Sequence, residues 1–134
     1  MTYPTTLVLF LWEGVMGSFY IGDGAISNDV AIVIVGGEID YEASPRLKAR
    51  IMEHLNGDGH RLVLDFSWVT FIDSTAIGVL MGAVAKLRET GGDPLAIVCT
   101  HERVLQICEI SGLESMVTLY RSCDEALAPR TMTG

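Results

Sequence analysis

The chain has 134 residues, 49% of them hydrophobic, and a formal net charge of −8, which fits one folded domain and argues against disorder. The positive charges form no basic run, so binding to nucleic acid or to an anionic membrane surface is not expected. Its three cysteines, Cys99, Cys108 and Cys123, form no C-x-x-C pair and show no metal-ligand spacing, which predicts reduced cytosolic thiols, two or more of them buried, and no metal site.

The N-terminal residues carry an apolar run, "TLVLFLW" at 6–12, that is too short to span a bilayer. A signal peptide would need a basic region, but the first Lys or Arg of the chain is Arg46. Export is therefore not expected, and we predict a cytoplasmic protein. The run is interpreted as an extra strand or a loose hydrophobic tail, and residues 1–15 are expected to contribute little to stability.

The stretch "WEGVM" at 12–16 has a second property, because Trp and Met have single codons and the coding sequence must read TGG-GAR-GGN-GTN-ATG. This is a purine-rich sequence of the ribosome-binding type, a few bases before a methionine codon. We therefore predict that Met16 is the native start of the protein. The chain then divides into an unmatched N-terminal segment at 1–16, a domain at 17–128 and a tail at 129–134.

After residue 17 the pattern becomes regular. A short strand and a Gly/Asn/Asp turn in "SFYIGDGAISND" predict a hairpin with the next strand, "VAIVIVGGEID" at 30–40. Its continuous apolar, β-branched character is typical of a central strand that is covered on both faces. We expect Gly36 and Gly37 to stop this strand.

Helices and further strands then alternate with short connections. The first helix has Pro45 near its start and an apolar face of Leu47, Ile51 and Leu55. The second begins at the polar residues 73–75 and ends at Gly91-Gly92. The predicted strands are "RLVLDFS" at 61–67, "PLAIVCT" at 94–100 and "MVTLY" at 116–120, and the remaining helices are "HERVLQICEIS", ending at Gly112, and a short one from about Ser122 to Ala128.

This alternation calls for right-handed crossovers and parallel neighbouring strands. We predict an α/β fold, a single domain with a mixed, mostly parallel sheet of about five strands and four helices.

Motifs for catalysis are missing. The chain has no G-x-x-x-x-G-K-[ST], no complete dinucleotide loop and no G-x-S-x-G around Ser74. A serine nucleophile needs a base such as His, and none of the three histidines is a convincing partner for Ser74. The carboxylates of Glu38 and Asp40 are interpreted as part of a solvated turn. We predict that the protein is not an enzyme and uses no cofactor.

The segment "FIDSTAIGVLMGAVAKL" at 71–87 places Asp73, Ser74 and Thr75 where a strand turns into a helix. One interpretation is that Asp73 or Ser74 caps the helix by accepting hydrogen bonds from its first N–H groups. The other is that Ser74 is acted upon, since a phosphate attached there would meet unpaired N–H groups and the positive end of the helix dipole. The segment alone leaves both open.

Three motifs together resemble the STAS domain, the fold of anti-sigma factor antagonists and of sulfate-transporter tails. "GGEIDYEASPRLKARI" at 36–51 resembles the early segment of that family, and "LVLDFSWVTFIDSTAIGVLMGAVAKLRETGGDPLAIV" at 62–98 resembles its central Asp-Ser-Ser/Thr-Gly signature. "VLQICEISGLESMVTLYRSCDEAL" at 104–127 is similar to its closing helix, strand and helix, so the resemblance covers about residues 17 to 128.

The resemblance implies a soluble anti-sigma factor antagonist that acts in stress-responsive transcription by partner switching. In that family an anti-sigma factor, itself a serine kinase, phosphorylates the serine after the aspartate, and a metal-dependent serine/threonine phosphatase reverses this. The unphosphorylated form binds the anti-sigma factor and frees the sigma factor. Ser74 matches the phosphoacceptor, with Thr75 as the alternative acceptor. Asp40, Asp73, Ser74, Thr75, Ala76 and Ile77 match the partner-binding surface.

The chain departs from the family pattern at Ala76, where Gly is usual, and in its first 15 residues. Alanine favours the helix by up to about 1 kcal/mol, but its methyl group could alter how closely a kinase backbone approaches. Two alternatives within the fold are a scaffold subunit of a stressosome-like assembly and the STAS subunit of a lipid-transport ABC system. A nucleotide-binding enzyme is the alternative from another class, and the missing phosphate loop argues against it.

Overall fold

A computed structural model describes residues 12–16, 19–24, 30–57 and 61–128. In these ranges six strands form one sheet in the order of the sequence. The pairs β1–β2 and β2–β3 are antiparallel, and the pairs β3–β4, β4–β5 and β5–β6 are parallel. The strands are β1 (Trp12–Met16), β2 (Phe19–Asp23), β3 (Val30–Ile39), β4 (Arg61–Ile72), β5 (Ala96–Val98) and β6 (Thr118–Tyr120).

Four α-helices lie within the same described ranges: α1 (Ser44–Leu55), α2 (Ser74–Thr90), α3 (Glu102–Ile110) and α4 (Cys123–Leu127). A 3-10 turn at Leu113–Ser115 follows α3. The predicted fold class is confirmed, because the sheet is mixed and mostly parallel and four helices connect or follow its strands. In this part of the chain no helix is long and apolar enough to cross a membrane.

Helices α1, α2 and α3 cover one face of the sheet. Each connects two parallel neighbours in a sheet whose order follows the sequence, and right-handed crossovers then place every helix on the same side. The strand residues that face these helices alternate along β3 and β4, as the period of a strand requires. The main core contains, among others, Val33, Leu64, Phe66, Leu47, Ile51, Leu80 and Val104.

The opposite face of the sheet is closed in part by the short helix α4. Cys123 and Ala126 of this helix pack against Ile34, Val63 and Val98 of three neighbouring strands. The Cys123 thiol lies 3.4 Å from Oδ2 of the buried Asp65, a hydrogen bond from the helix to the sheet. The continuous apolar runs of the central strands are explained by this second core, because their residues are buried on both faces.

Strand β3 does not stop at Gly36 and Gly37, so this prediction is wrong. Both glycines pair with β2 and β4, and the strand continues to Ile39. A side chain at position 36 would collide with the ring of Tyr20, since an added Cβ would lie 1.9 Å from its Cε2. Gly37 has a φ of 84°, beside a register shift between β3 and β4. The glycines accommodate an aromatic ring and a bulge within the strand.

The N-terminal segment contributes a strand, so the expectation of a tail outside the sheet is wrong for residues 12–15. Trp12 pairs with Gly22 and Met16 with Phe19, which makes β1 the edge strand beside β2. This agrees with the other interpretation, an extra strand. Residues 1–11 lie outside the described residues, and so do 129–134. That the native protein starts at Met16 stays a prediction. A chain that began there would lack almost all of β1.

The three cysteines are free and buried, as predicted. Burial raises the pKa of the Cys108 thiol to about 11, with smaller contributions from Cys99 and Glu114, and burial also raises the pKa of Cys99. A thiol with a raised pKa is protonated at neutral pH and therefore a poor nucleophile. These side chains serve the core as small apolar groups.

Candidate functional site

The candidate site lies at the carboxyl ends of β3 and β4, where Ile39 and Ile72 are paired. Asp40 follows the first strand and Asp73 the second, and the backbone N–H of Asp73 donates to the carbonyl of Ile39 at 3.2 Å. Parallel neighbouring strands therefore deliver both aspartates to the same edge of the sheet. Helices α1 and α2 begin there.

Asp73 caps helix α2. Its backbone is extended, with φ −114° and ψ −174°, and its Oδ1 accepts hydrogen bonds from the backbone N–H groups of Thr75 and Ala76 at 2.9 and 3.2 Å. This is the geometry of an N-cap residue, and it confirms that capping is one role of the corner. Fewer N–H groups are unpaired at the start of α2 than predicted, because two of them already donate to Asp73.

Ser74 is the first residue of α2 and is exposed. Its hydroxyl has no hydrogen-bond partner among the described residues. Asp73 performs the capping, so the structure does not need this hydroxyl for the helix end. Helix α2 runs for 17 residues to Gly91, whose φ of 71° ends it in the left-handed conformation. The Ser74 hydroxyl thus lies free at the positive end of a long helix dipole.

The hydroxyl of Thr75 is hydrogen-bonded, in contrast to the hydroxyl of Ser74. Its hydroxyl donates to Oδ1 of Asp73 and lies 2.9 Å from the hydroxyl of Ser44, the first residue of α1. Ser44 is itself 2.8 Å from the carbonyl oxygen of Asp40. A chain of polar contacts therefore runs from the end of β3, through both hydroxyls, to the cap of α2. Ser44 was not among the predicted site residues, since a contact between residues 31 apart leaves no local pattern.

Asp40 stabilises the turn that precedes α1, whose N-cap residue is Ala43. Its Oδ1 accepts from the N–H groups of Glu42 and Ala43, each at 3.0 Å, and its carbonyl accepts from the N–H of Ser44 at 2.9 Å. The carboxylate is only partly exposed. Asp40 lies at the same sheet edge as Asp73, as the resemblance implies, and it has a structural role there that the sequence did not predict.

Ala76 does not present its side chain to a partner. It is fully buried in the main core, and Ile77 is buried as well, with 7% exposure. The expectation that the Ala76 methyl group could alter a partner's approach is therefore wrong, because that group points into the core. Ile77 still reaches the surface, where it lines a groove.

This groove lies between the start of α2 and the end of α3 and has a volume of about 260 Å³. Its lining is apolar except for Asp73, Ser74 and Ser111. Ile110 is 85% exposed at its rim. The groove residues are Ile72, Asp73, Ser74, Ile77, Ile107, Ile110 and Ser111.

Two groove residues, Ile107 and Ile110, were not among the predicted site residues. Helix α3 buries Val104 and Cys108 in the core, which is one face of a short helix. Ile107 packs in part against the core, whereas Ile110 lies beyond the needs of that face, and this surplus apolar residue is the signal that could have indicated a second apolar surface. An exposed isoleucine next to a free hydroxyl makes this region fit for protein contact.

The charges near the corner are acidic. Glu38 and Glu42 are exposed, and Asp40 and Asp73 are partly exposed. Of the histidines, His54 has its Nε2 3.2 Å from Oδ1 of Asp23, far along the sheet from the corner, and His60 lies outside the described residues. The arrangement combines a free hydroxyl, a helix N-terminus, an apolar groove and excess negative charge.

Comparison with known proteins gives a consistent result. The family model of the STAS domain matches residues 25–126. The chain is 30% identical over 87 residues to the anti-sigma-B factor antagonist of Listeria monocytogenes, covering 65% of this chain and 75% of that protein. It is 29% identical over 92 residues to the anti-sigma-B factor antagonist of Bacillus subtilis, covering 69% and 82% respectively.

Among solved structures, the chain is similar to an anti-sigma factor antagonist from Mycobacterium paratuberculosis. The TM-score is 0.70 at 28% sequence identity, and the match covers 80% of this chain and 91% of the other.

Proposed function

The chain belongs to the STAS domain family, and on that premise we propose that it is an anti-sigma factor antagonist switched by phosphorylation of Ser74. In its unphosphorylated form it binds an anti-sigma factor that is also a serine kinase, and thereby frees a sigma factor. The names of the similar proteins support the general role. The cycle itself is our inference from the resemblance and from the geometry of the corner.

The observation that carries the proposal is the contrast between two neighbouring hydroxyls. Ser74 is exposed and unbonded among the described residues, whereas Thr75 donates to Asp73 and lies against Ser44. A kinase needs an acceptor oxygen that it can reach without breaking the fold. Ser74 meets this condition, and Thr75 would first have to leave its hydrogen bonds.

The fold is expected to tolerate the phosphate. The group adds about −1.5 to −2 units of charge, and at the first residue of α2 this charge meets the positive end of the helix dipole. The neighbouring carboxylate of Asp73 opposes it, but the site is exposed and the repulsion is screened by solvent. No buried contact has to change.

The partner surface is expected not to tolerate the phosphate. An anti-sigma factor that covers the corner must already face Asp73 and Asp40, so its own surface there should be neutral or basic and shaped to the groove. Burying a further, unmatched charge in an interface costs several kcal/mol, and each ~1.4 kcal/mol is tenfold in affinity. Phosphorylation therefore releases the partner, and a serine/threonine phosphatase restores binding.

The groove beside Ser74 supports a contact with an apolar side chain of the partner. Its lining includes Ile77, Ile107 and Ile110, and an exposed isoleucine gains free energy when a partner removes it from water. The same partner would cover Ser74, because this residue lies in the wall of the groove. Binding and phosphate transfer are therefore expected at one surface.

The test is phosphate transfer from ATP, with the kinase supplied by a soluble extract of the source cell and the site read by mass spectrometry. Wild type and Thr75→Val should receive phosphate on Ser74. Ser74→Ala should receive much less at this corner, with only a small residual amount on Thr75. Ser115→Ala, which changes an exposed serine of the 3-10 turn, is the matched control and should behave as the wild type.

If the wild type instead receives phosphate on Thr75, the acceptor is Thr75 and not Ser74. A wild-type chain that receives no phosphate here would contradict the switch, and would favour the scaffold function that the fold also allows.

A further inference from the structure

We propose that the buried hydroxyl of Ser44 selects Ser74 over Thr75 as the phosphate acceptor, by holding the Thr75 hydroxyl in a closed chain of hydrogen bonds. The inference rests on the proposed function, since it concerns the choice of acceptor at the same corner. Ser44 is a positioning residue in this account, because it acts through Thr75.

Ser44 is unusual for a serine because it is 4% exposed. It lies at the start of α1, and its Oγ is 2.9 Å from Oγ1 of Thr75 at the start of α2. A buried hydroxyl without a partner is costly, so the contact satisfies Ser44 and at the same time restrains Thr75. It joins the first turns of two helices that begin at the same sheet edge.

The number of hydroxyl protons decides the directions of the hydrogen bonds among these residues. Ser44 contacts the Asp40 carbonyl and Thr75, and Thr75 contacts Asp73, which makes three contacts for two hydroxyl protons. The Ser44 hydroxyl donates to the Asp40 carbonyl at 2.8 Å, which takes the Ser44 proton. The Thr75 proton then lies between two acceptors, the Asp73 carboxylate and Oγ of Ser44, and its bond to the carboxylate is charge-assisted.

In this arrangement the Thr75 hydroxyl is held between two acceptors. Phosphate transfer needs the acceptor oxygen to use a lone pair for the new bond to phosphorus. The bond from phosphorus to the bridging oxygen of the nucleoside triphosphate breaks, its electron pair leaves with the nucleoside diphosphate, and the hydroxyl proton passes to a base. Thr75 already has such a base in Asp73. The contact with Ser44 holds the Thr75 hydroxyl in this one orientation, whereas Ser74 carries no such restraint.

The experiment uses the full chain with Ser74→Ala, so that phosphate on Ser74 cannot mask phosphate on Thr75. ATP and a soluble extract of the source cell supply the reaction, and fragment ions in the mass spectrum distinguish residue 75 from the other hydroxyls of its peptide. Adding Ser44→Ala should raise phosphate on Thr75 by about threefold to tenfold, the equivalent of one hydrogen bond. Adding Ser115→Ala instead should leave it unchanged.

A second measurement does not depend on any kinase. Chemical unfolding of wild type, Ser44→Ala, Thr75→Val and the double variant gives the coupling between the two hydroxyls. The unfolding constants should show a coupling of about twofold to tenfold. If the effects of the two single substitutions on the unfolding constant simply multiply in the double variant, the hydroxyls are not coupled. This would overturn the inference, even if Ser74 is phosphorylated in the wild type.

The outcomes separate the two proposals. Suppose that the wild type receives phosphate on Ser74, and that phosphate on Thr75 of Ser74→Ala is the same with and without Ser44→Ala. This result overturns the role of Ser44 and leaves the proposed function standing. No phosphate on wild-type Ser74 overturns the proposed function, and the acceptor selection with it.

Discussion

Two corners of this molecule have the same parts and use them differently. At the end of β3, Asp40 accepts from the N–H groups two and three residues ahead, and at the end of β4, Asp73 does the same. A serine follows at each corner. Ser44 is buried and bonded, whereas Ser74 is exposed and unbonded among the described residues. Burial and hydrogen bonding, and not residue type, therefore distinguish the two serines.

The same charge placed at both corners should have the most unequal effect on stability. Ser44→Glu would bury a carboxylate without a partner and should lower the free energy of unfolding by about 3–5 kcal/mol. Ser74→Glu is exposed at a helix N-terminus and should change it by less than about 1 kcal/mol. Urea unfolding of both variants, with Ser44→Ala as the control for the lost hydroxyl, makes the comparison. Equal destabilisation by the two would show that the corners do not differ as described.

Removing the aspartates should destabilise the two corners to different extents. Asp40→Ala and Asp73→Ala each remove a carboxylate that accepts two N–H groups, and each should cost about 1–2 kcal/mol. Asp73→Ala should cost more, because the Thr75 hydroxyl also loses its acceptor. Thermal melts check the order, with Glu109→Ala on the exposed face of α3 as the control. A smaller loss for Asp73→Ala than for Asp40→Ala would count against the hydrogen-bond chain.

Removing residues 1–15 tests whether the corners are independent of the far edge of the sheet. The deletion takes away most of β1, whose pairing with β2 should be worth about 1 kcal/mol. Stability should therefore fall, while phosphate transfer to Ser74 stays at the wild-type level. An unchanged urea midpoint would instead support the original interpretation of a loose tail.

An effect that is absent at neutral pH concerns a buried thiol and not a hydroxyl. The folded-state pKa of Cys108 is about 11, above its ordinary value of 9.0, because burial disfavours the thiolate. Above pH 9 the unfolded chain therefore loses a proton that the folded chain keeps, and stability should fall as the pH rises from 9 towards 11. Below pH 9 this group should have no effect. Unfolding curves at several pH values check this, and Cys108→Ala should flatten the change.

The sequence was sufficient for features that depend on local pattern. The apolar faces of α1 and α2, the alternation of strands and helices, and the cap by Asp73 or Ser74 all rest on residues within one or two turns of each other. The structure confirmed these predictions, and it assigned the cap to Asp73. The resemblance likewise rested on short motifs at fixed separations.

The sequence was insufficient where distant residues decide the structure. Gly36 continues a strand because the ring of Tyr20, on another strand, occupies the space of its missing side chain. Ser44 contacts Thr75 from 31 residues away, and Ile110 is exposed because Val104 and Cys108 already fill the core side of α3. Ala76 was placed in the contact surface by its position in a motif, but helix periodicity turns it inward.

The central claim is that phosphate on Ser74 turns partner binding off. The most direct measurement is the affinity of the full chain for its anti-sigma factor, by calorimetry, before and after phosphorylation by that kinase. The account predicts that the phosphorylated chain binds at least about a hundredfold more weakly, which corresponds to about 2.8 kcal/mol, and that Ser74→Ala binds as tightly as the unphosphorylated wild type. Equal affinities of the phosphorylated and unphosphorylated chains would contradict it.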